Sequence, residues 1–388
     1  MEGKEIPTKT LHLHLLAIAM LLLSALGLLD CSGGNSGKSS CPTLSGPKSS
    51  SGSIGSVVDP IVANEMKAQA LVGMAVAIAK NGSILYSQGY GYGDLGTCQA
   101  IQPASEFQIG SVTKQFTAAA ILQLQNAGRL NIDDAVAAYL PSYGFDSRIT
   151  LRMLLNQTSG LADYLSFPAA NSWAAGVAEQ TVLTQIVQAP LVFTPGSLYS
   201  YSNSNYFILG SIIENVTGLT YRNYLAASIF TPVGLSQTSY LQPPDSASPY
   251  KAGPVPGFIP DPSLFFSAGA LWSNVQDLAT WDEALLNGRV IPSSLFMVMV
   301  TPPSVPSAQG GPSDYAMGWV RTSEVGHPFV WHNGETYSYT AFNSIFLDDG
   351  FSVIMLTNMP VKEDTPLLNL GNQLINAICT SSATAGNC

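Results

Sequence analysis

Positive charge is scarce in this chain. Its 15 Lys and Arg stand against 25 Asp and Glu, giving a formal net charge of −10. Nucleic-acid binding needs basic surface to neutralise phosphates, so that class of partner is excluded. Histidine is rarer still, with four in all. His12 and His14 fall in an N-terminal apolar segment, which leaves His327 and His332 for chemistry. The cysteines Cys31, Cys41, Cys98, Cys379 and Cys388 follow no zinc-ligand spacing, so no metal site is expected and no cofactor is implied. No Gly-x-Ser-x-Gly occurs, which argues against the common nucleophile elbow of α/β-hydrolases. Charged residues make up only 10% and hydrophobic residues 46%, the balance of a globular chain and not a disordered one.

The N-terminus has its own plan. Lys4 and Lys9 precede an apolar run over residues 11–29, broken only by His12, His14, Ser24 and Gly27. Positive charge followed by an apolar stretch is the layout of a secretory signal, and the length also suits an uncleaved anchor. The run ends at Asp30-Cys31, similar to a bacterial lipoprotein site, although Asp30 stands where such sites carry a small residue. Residues 1–31 are therefore assigned to an export signal. Residues 32–56, rich in Ser, Gly, Lys and Pro, read as a flexible tether, and 57–388 as the folded domain. The expected location is periplasmic or cell-envelope, with membrane anchoring through the N-terminal segment. In that oxidising setting, four cysteines beyond Cys31 allow three disulfide connectivities.

An amphipathic stretch near residues 57–71 precedes two strand-like runs, 74–79 and 83–90, around Asn81-Gly82, a hairpin signal because both turn positions tolerate positive φ. Strands are also expected at 329–332, 337–347 and 351–356, then a helix near 365–378. The middle is mostly helical, with patterns at 112–127, 133–139, 182–187, 208–214, 221–230 and 275–286, and no internal repeat. The predicted fold is α+β: an antiparallel sheet built from both chain ends, flanked by helices, with a mostly helical insertion.

Three Ser-x-x-Lys sequences occur: Ser45…Lys48, Ser111…Lys114 and Ser248…Lys251. The first lies in the tether beside Pro47 and the third carries Pro249. Only Ser111-Val112-Thr113-Lys114 opens a convincing helix, where residues three apart share a face. A serine hydroxyl must lose its proton as it attacks. Lysine accepts it only if burial or nearby positive charge lowers its pKa toward neutrality, and the positive end of a helix acts in the same direction. As a mere cap the segment would be odd, because a helix start favours Glu or Gln three residues after Ser, not a cation. Two further segments stand out. Tyr201-Ser202-Asn203 follows a Pro-Gly turn, and Trp331-His332-Asn333-Gly334 begins a strand. A second Tyr-x-Asn, Tyr221-Arg222-Asn223, sits inside a helical pattern.

With these motifs in this order, roughly residues 60–380 resemble the penicillin-recognising serine hydrolases: class C β-lactamases, D-Ala-D-Ala carboxypeptidases and esterases on the same scaffold. The segments that carry the resemblance are 107–117, 149–161, 193–206, 267–281 and 331–334. The resemblance implies that Ser111 is the nucleophile, Lys114 its basic partner and Tyr201 the proton shuttle. It implies that Asn203 contacts the substrate amide, and that His332 and Gly334 end a third motif that is usually Lys-Thr-Gly in β-lactamases. The oxyanion would be held by the N–H groups of Ser111 and Glu335. Asn156-Gln157 stands where many relatives have Thr-His, a place read as structural.

The expected reaction is covalent acyl transfer to water from an ester or amide, in a small-molecule or peptide substrate: the work of a peptidase, esterase or β-lactamase. His332 in place of lysine, and the charge of Glu335, weigh against a substrate carboxylate and toward an uncharged or amino-bearing substrate. The alternatives are a non-hydrolytic penicillin-binding or sensor protein that stays acylated, and an unrelated Ser-His-Asp hydrolase using His332.

Overall fold

The computed structural model describes residue 41 and residues 52–322, 328–361 and 365–380. The export signal at 1–31 with Cys31, the Ser45…Lys48 pair, His327 and Cys388 lie outside the described residues.

Strands β1 (Gly73–Lys80), β2 (Ser83–Asp94) and β3 (Gln99–Ala100) come early in the chain. β4 (Phe107–Gln108) and β5 (Trp272–Ser273) pair as a separate ribbon, and β6 (Val320–Thr322), β7 (Phe329–Glu335), β8 (Thr340–Phe346) and β9 (Phe351–Thr357) come late. The main sheet runs β3-β2-β1-β9-β8-β7-β6. Every neighbouring pair is antiparallel, and β1 beside β9 joins the two chain ends as the sequence predicts. Asn81 and Gly82 turn the first hairpin with φ of 46° and 77°, the geometry that favours Asn-Gly there.

Strand alternation divides the core in two. Met74, Val76 and Ile78 of β1, with Trp331 of β7 and Phe342 of β8, face the helices Gly52–Gln69 and Thr365–Thr380. Ala75, Ala77 and Ala79 face the opposite way, with Val330, Ala341 and Ile354, toward the helical middle of the chain. Small side chains on that face let the Val275–Leu286 helix lie close against β1 and β9. The same alternation puts His332 and Gly334 on the inner face with Val330, and Asn333 and Glu335 on the face of Trp331.

The first helix begins at Gly52, within the 32–56 stretch expected to be a tether. Ile54, Val58 and Val62, spaced four apart, are all buried against the sheet, and that packing outweighs the Ser/Gly-rich composition around Ile54. Further upstream, Cys41 forms a disulfide with Cys98. Cys379 is disulfide-bonded as well. Most expected helices are present, and Val275–Leu286 has the predicted bounds. The pattern at 208–214 is the centre of a longer helix, Asn203–Thr217, and 133–139 shrinks to Val136–Tyr139. A helix at Ser293–Met299 and strand β6 were not anticipated. Both are short, and short elements carry little periodic signal. No helix among the described residues is long and apolar enough to cross a membrane.

Candidate active site

Ser111 does not cap its helix. It lies in a tight turn, Gly110–Val112, and Val112 occupies the cap position of Thr113–Asn126 with no side-chain cap bond. Its hydroxyl is therefore free for other partners. Tyr201 Oη donates to Ser111 Oγ at 2.9 Å, and Lys114 Nζ lies 2.8 Å from the same oxygen. The rival Ser248…Lys251 has no such geometry, because the Ser248 hydroxyl donates to Asp94 Oδ2 at 2.6 Å. Tyr221 of the second Tyr-x-Asn is buried against Thr117, its hydroxyl 2.7 Å from that side chain.

Lys114 is fully buried, and its other two contacts fix its protonation geometry. Nζ is 2.8 Å from Asn203 Oδ1 and 2.7 Å from the Ala268 carbonyl. The Asn203 amide is oriented by Asp163, whose Oδ2 accepts from Asn203 Nδ2 at 2.9 Å. Both the Ala268 oxygen and Asn203 Oδ1 can only accept. A neutral amine has two hydrogens for these two acceptors, and its lone pair is then left facing the Ser111 hydroxyl. Burial pushes the Lys114 pKa down to about 7, against the opposing pull of the Asp163 charge. Burial also raises the Tyr201 phenol well above its ordinary value, with Tyr315 adding to the effect and the bond to Ser111 opposing it. Tyr201 is thus held as a protonated donor, and Lys114 as an amine that titrates near neutrality.

The third motif works through its backbone. A Cβ on Gly334 would lie 1.9 Å from the Ile109 carbonyl and 3.1 Å from Ser111 N. One on Gly110, whose φ is +49°, would lie 2.7 Å from Glu335 N. Two glycines in contact thus bring the N–H-bearing backbones of Ser111 and Glu335 to one spot, as an oxyanion site requires. The exposed Glu335 side chain belongs, by alternation, to the face away from His332.

His332 itself is buried, and both ring nitrogens are engaged. Nδ1 lies 2.5 Å from the Asn333 carbonyl, which can only accept, so Nδ1 carries the hydrogen. Nε2 then accepts from Tyr315 Oη at 3.2 Å. Burial, followed by the Lys114 charge, pushes the His332 pKa down to about 3, so the ring is neutral at physiological pH. Tyr315 connects it to the cleft, with its ring edge-on to Tyr201 at 5.7 Å.

Three contributors escaped the sequence reading: Asp163, the Ala268 carbonyl and Tyr315; Gln157 was read only as a structural position. Gln157, in a positive-φ conformation, brackets Tyr201 from both sides. Its carbonyl accepts from Ser200 N at 3.0 Å, and its Oε1 accepts from Ser202 N at 3.0 Å and Asn205 Nδ2 at 2.5 Å. Asp163 and Gln157 border the 149–161 segment or lie in it, yet only the folded chain brings them to Asn203 and Tyr201.

A model of the Beta-lactamase family matches residues 58–376, and the chain belongs to that family. It is 30% identical over 336 residues to Protein flp of Staphylococcus aureus (strain COL), covering 82% of this chain but only 66% of that protein's length. It is 31% identical over 265 residues to the putative penicillin-binding protein PbpX of Bacillus subtilis (strain 168), covering 66% of this chain and 64% of PbpX. Among solved structures, the octameric penicillin-binding protein homologue from Pyrococcus abyssi superposes with a TM-score of 0.70, at 24% identity and covering 79% of this chain and 73% of its own. A D-stereospecific amidohydrolase from Streptomyces sp. superposes with a TM-score of 0.69, at 24% identity and covering 82% of this chain and 97% of its own. The two superpositions establish a shared β-lactamase/transpeptidase-like fold.

Proposed function

We propose that this protein is a serine hydrolase that cleaves ester or amide bonds through an acyl-enzyme on Ser111. The observation that carries the reading is the directed chain of contacts from Tyr201 Oη to Ser111 Oγ to Lys114 Nζ, with every other Lys114 contact made to an obligate acceptor. Ser111 Oγ bonds to the carbonyl carbon as its proton passes to Lys114. The oxyanion is received by the N–H groups of Ser111 and Glu335, a stabilisation worth roughly 100-fold or more in rate. The proton returns to the leaving group by way of Tyr201, and water releases the acyl group. Asn203 holds Lys114 and stands ready for a substrate amide.

A neutral His332 offers a substrate carboxylate no positive charge, which favours esters and amides without one at that end of the cleft. Export to the cell envelope, with anchoring through the N-terminal segment, fits this reading. Hydrolysis of nitrophenyl esters, D-amino-acid amides and nitrocefin, run beside Ser111→Ala, tests the proposal. Turnover of an ester or amide that Ser111→Ala abolishes supports it. A lasting penicillin adduct without turnover of any substrate would instead mark a penicillin-binding or sensor protein.

A further inference from the structure

Past the oxyanion residues the chain builds a wall of three aromatic rings that the acyl-transfer chemistry does not use. Tyr337 follows Glu335 by two residues. Its ring packs against Phe265 at 6.1 Å between centroids and edge-on against Phe258 at 5.7 Å. Phe265 reaches the nucleophile turn through Gly269, where an added Cβ would sit 3.3 Å from Phe265 Cβ and 3.6 Å from the Gly110 carbonyl carbon. The wall therefore begins at the turn that carries Ser111.

The wall grows out of the core, against which Phe265 and Tyr337 pack, toward solvent. Phe258 is 43% exposed, and Phe265 and Tyr337 are half-buried. Small-molecule sites are lined mainly by apolar and aromatic side chains, and such a row beside the Ser111 turn offers that lining. The wall is also held in place. Ser338 Oγ accepts from Phe258 N at 2.8 Å and donates to the Phe258 carbonyl at 3.0 Å. Gly257 fits only without a side chain, since a Cβ there would meet Ser338 Oγ at 2.2 Å. These two bonds hold the Phe258 backbone in place before any ligand arrives, which reduces the ordering cost of binding.

The direction of β7 says which half of the substrate meets this wall. His332, near the start of the motif, lies on the Tyr201 side, with ring centroids 6.1 Å apart. Tyr201 is the proton donor to the leaving group. Glu335 and Tyr337 lie further along the chain, past Gly334, on the side where the acyl group stays. We propose that Phe265, Tyr337 and Phe258 form the acyl-group site and select aromatic or extended apolar acyl groups over small or acidic ones. This inference rests on the serine-hydrolase reading above.

The test uses three nitrophenyl esters with one leaving group: acetate, phenylacetate and hemisuccinate. The wild-type kcat/KM for phenylacetate should exceed that for acetate by about tenfold or more, the scale of a filled apolar pocket, with hemisuccinate slowest. In Tyr337→Ala and Phe265→Ala the phenylacetate-to-acetate ratio should fall by about tenfold. Active enzyme is counted by fluorophosphonate titration, so misfolding appears as lost titratable serine. Phe258→Ala, at the most exposed ring, supplies the ratio if the other variants do not fold. A ratio near one in the wild type, or a ratio unchanged in these variants, overturns the wall while leaving Ser111-dependent acetate hydrolysis intact. Ester hydrolysis that persists in Ser111→Ala overturns the hydrolase reading and the wall together.

Discussion

Lys114 Nζ sits 2.8 Å from Ser111 Oγ, with its remaining two contacts made to the Ala268 carbonyl and the oriented Asn203 amide oxygen. The relationship gives direction to a proton transfer. With the amine neutral, the only arrangement that satisfies all three contacts has Ser111 donating to Lys114.

The rate should follow that protonation state. Acylation is expected to rise with pH through an apparent pKa near 7, set by the burial of Lys114. Lys114→Arg keeps a cation that cannot deprotonate and should lose about 100-fold or more in kcat/KM across the whole range. A profile without a rising limb, or one retained in Lys114→Arg, contradicts the assignment.

Asp163 tunes this base. Its charge holds the Lys114 pKa up against burial, so Asp163→Asn should move the rising limb to lower pH. The amide still presents an oxygen to Asn203 Nδ2, so the geometry is conserved in part. A limb that moves to higher pH, measured by kcat/KM on one ester, would show the reverse coupling.

The same lysine gives stability a pH dependence. Its pKa is lowered on folding, so between about pH 7 and 10.5 the unfolded chain binds the extra proton. The cost to folding is full below pH 7 and disappears as pH rises past 10.5. In Lys114→Met the denaturation midpoint should lose that component of its rise with pH, measured by urea titration against the wild type.

Gly334 should not tolerate a methyl group. A Cβ at 1.9 Å from the Ile109 carbonyl forces β7 away from the Ser111 turn. Gly334→Ala is expected to cost about 1–3 kcal/mol of stability and to slow ester turnover by about 100-fold as the two N–H donors separate. Thermal melts and turnover measured on the same preparation check both.

Gln157 positions Tyr201 through the backbone on either side of it. Gln157→Leu leaves Ser202 N without its acceptor in a buried place, a loss of about 1–3 kcal/mol. It should also lower kcat more than it raises KM. Gln157→His, which can still accept at a ring nitrogen, should recover part of kcat.

The centre of the sheet, β1, β2, β7, β8 and β9, was legible in the sequence because these strands are apolar and the first hairpin turns at Asn81-Gly82. Ser111 and Lys114 were legible because a cation in the first turn of a helix contradicts capping chemistry. Asp163 and Tyr315 were not, and Gln157 was legible as a structural position but not as the residue beside Tyr201. Each reaches its partner across a loop, by a contact with no fixed spacing in the chain. His332 was legible as a motif residue but not as a neutral ring behind Tyr315, since its charge state depends on burial that only the packed sheet creates. Ile54 shows the same limit, as a lone apolar residue in a Ser/Gly-rich stretch that tertiary packing draws into the core.

The most direct measurement is the mass and location of a covalent adduct. The intact protein, treated with a fluorophosphonate and digested, should carry one added phosphonyl group on the peptide containing Ser111. The rate of labelling should rise with pH through about 7. An adduct on any other serine, or undiminished labelling in Ser111→Ala, would contradict the account.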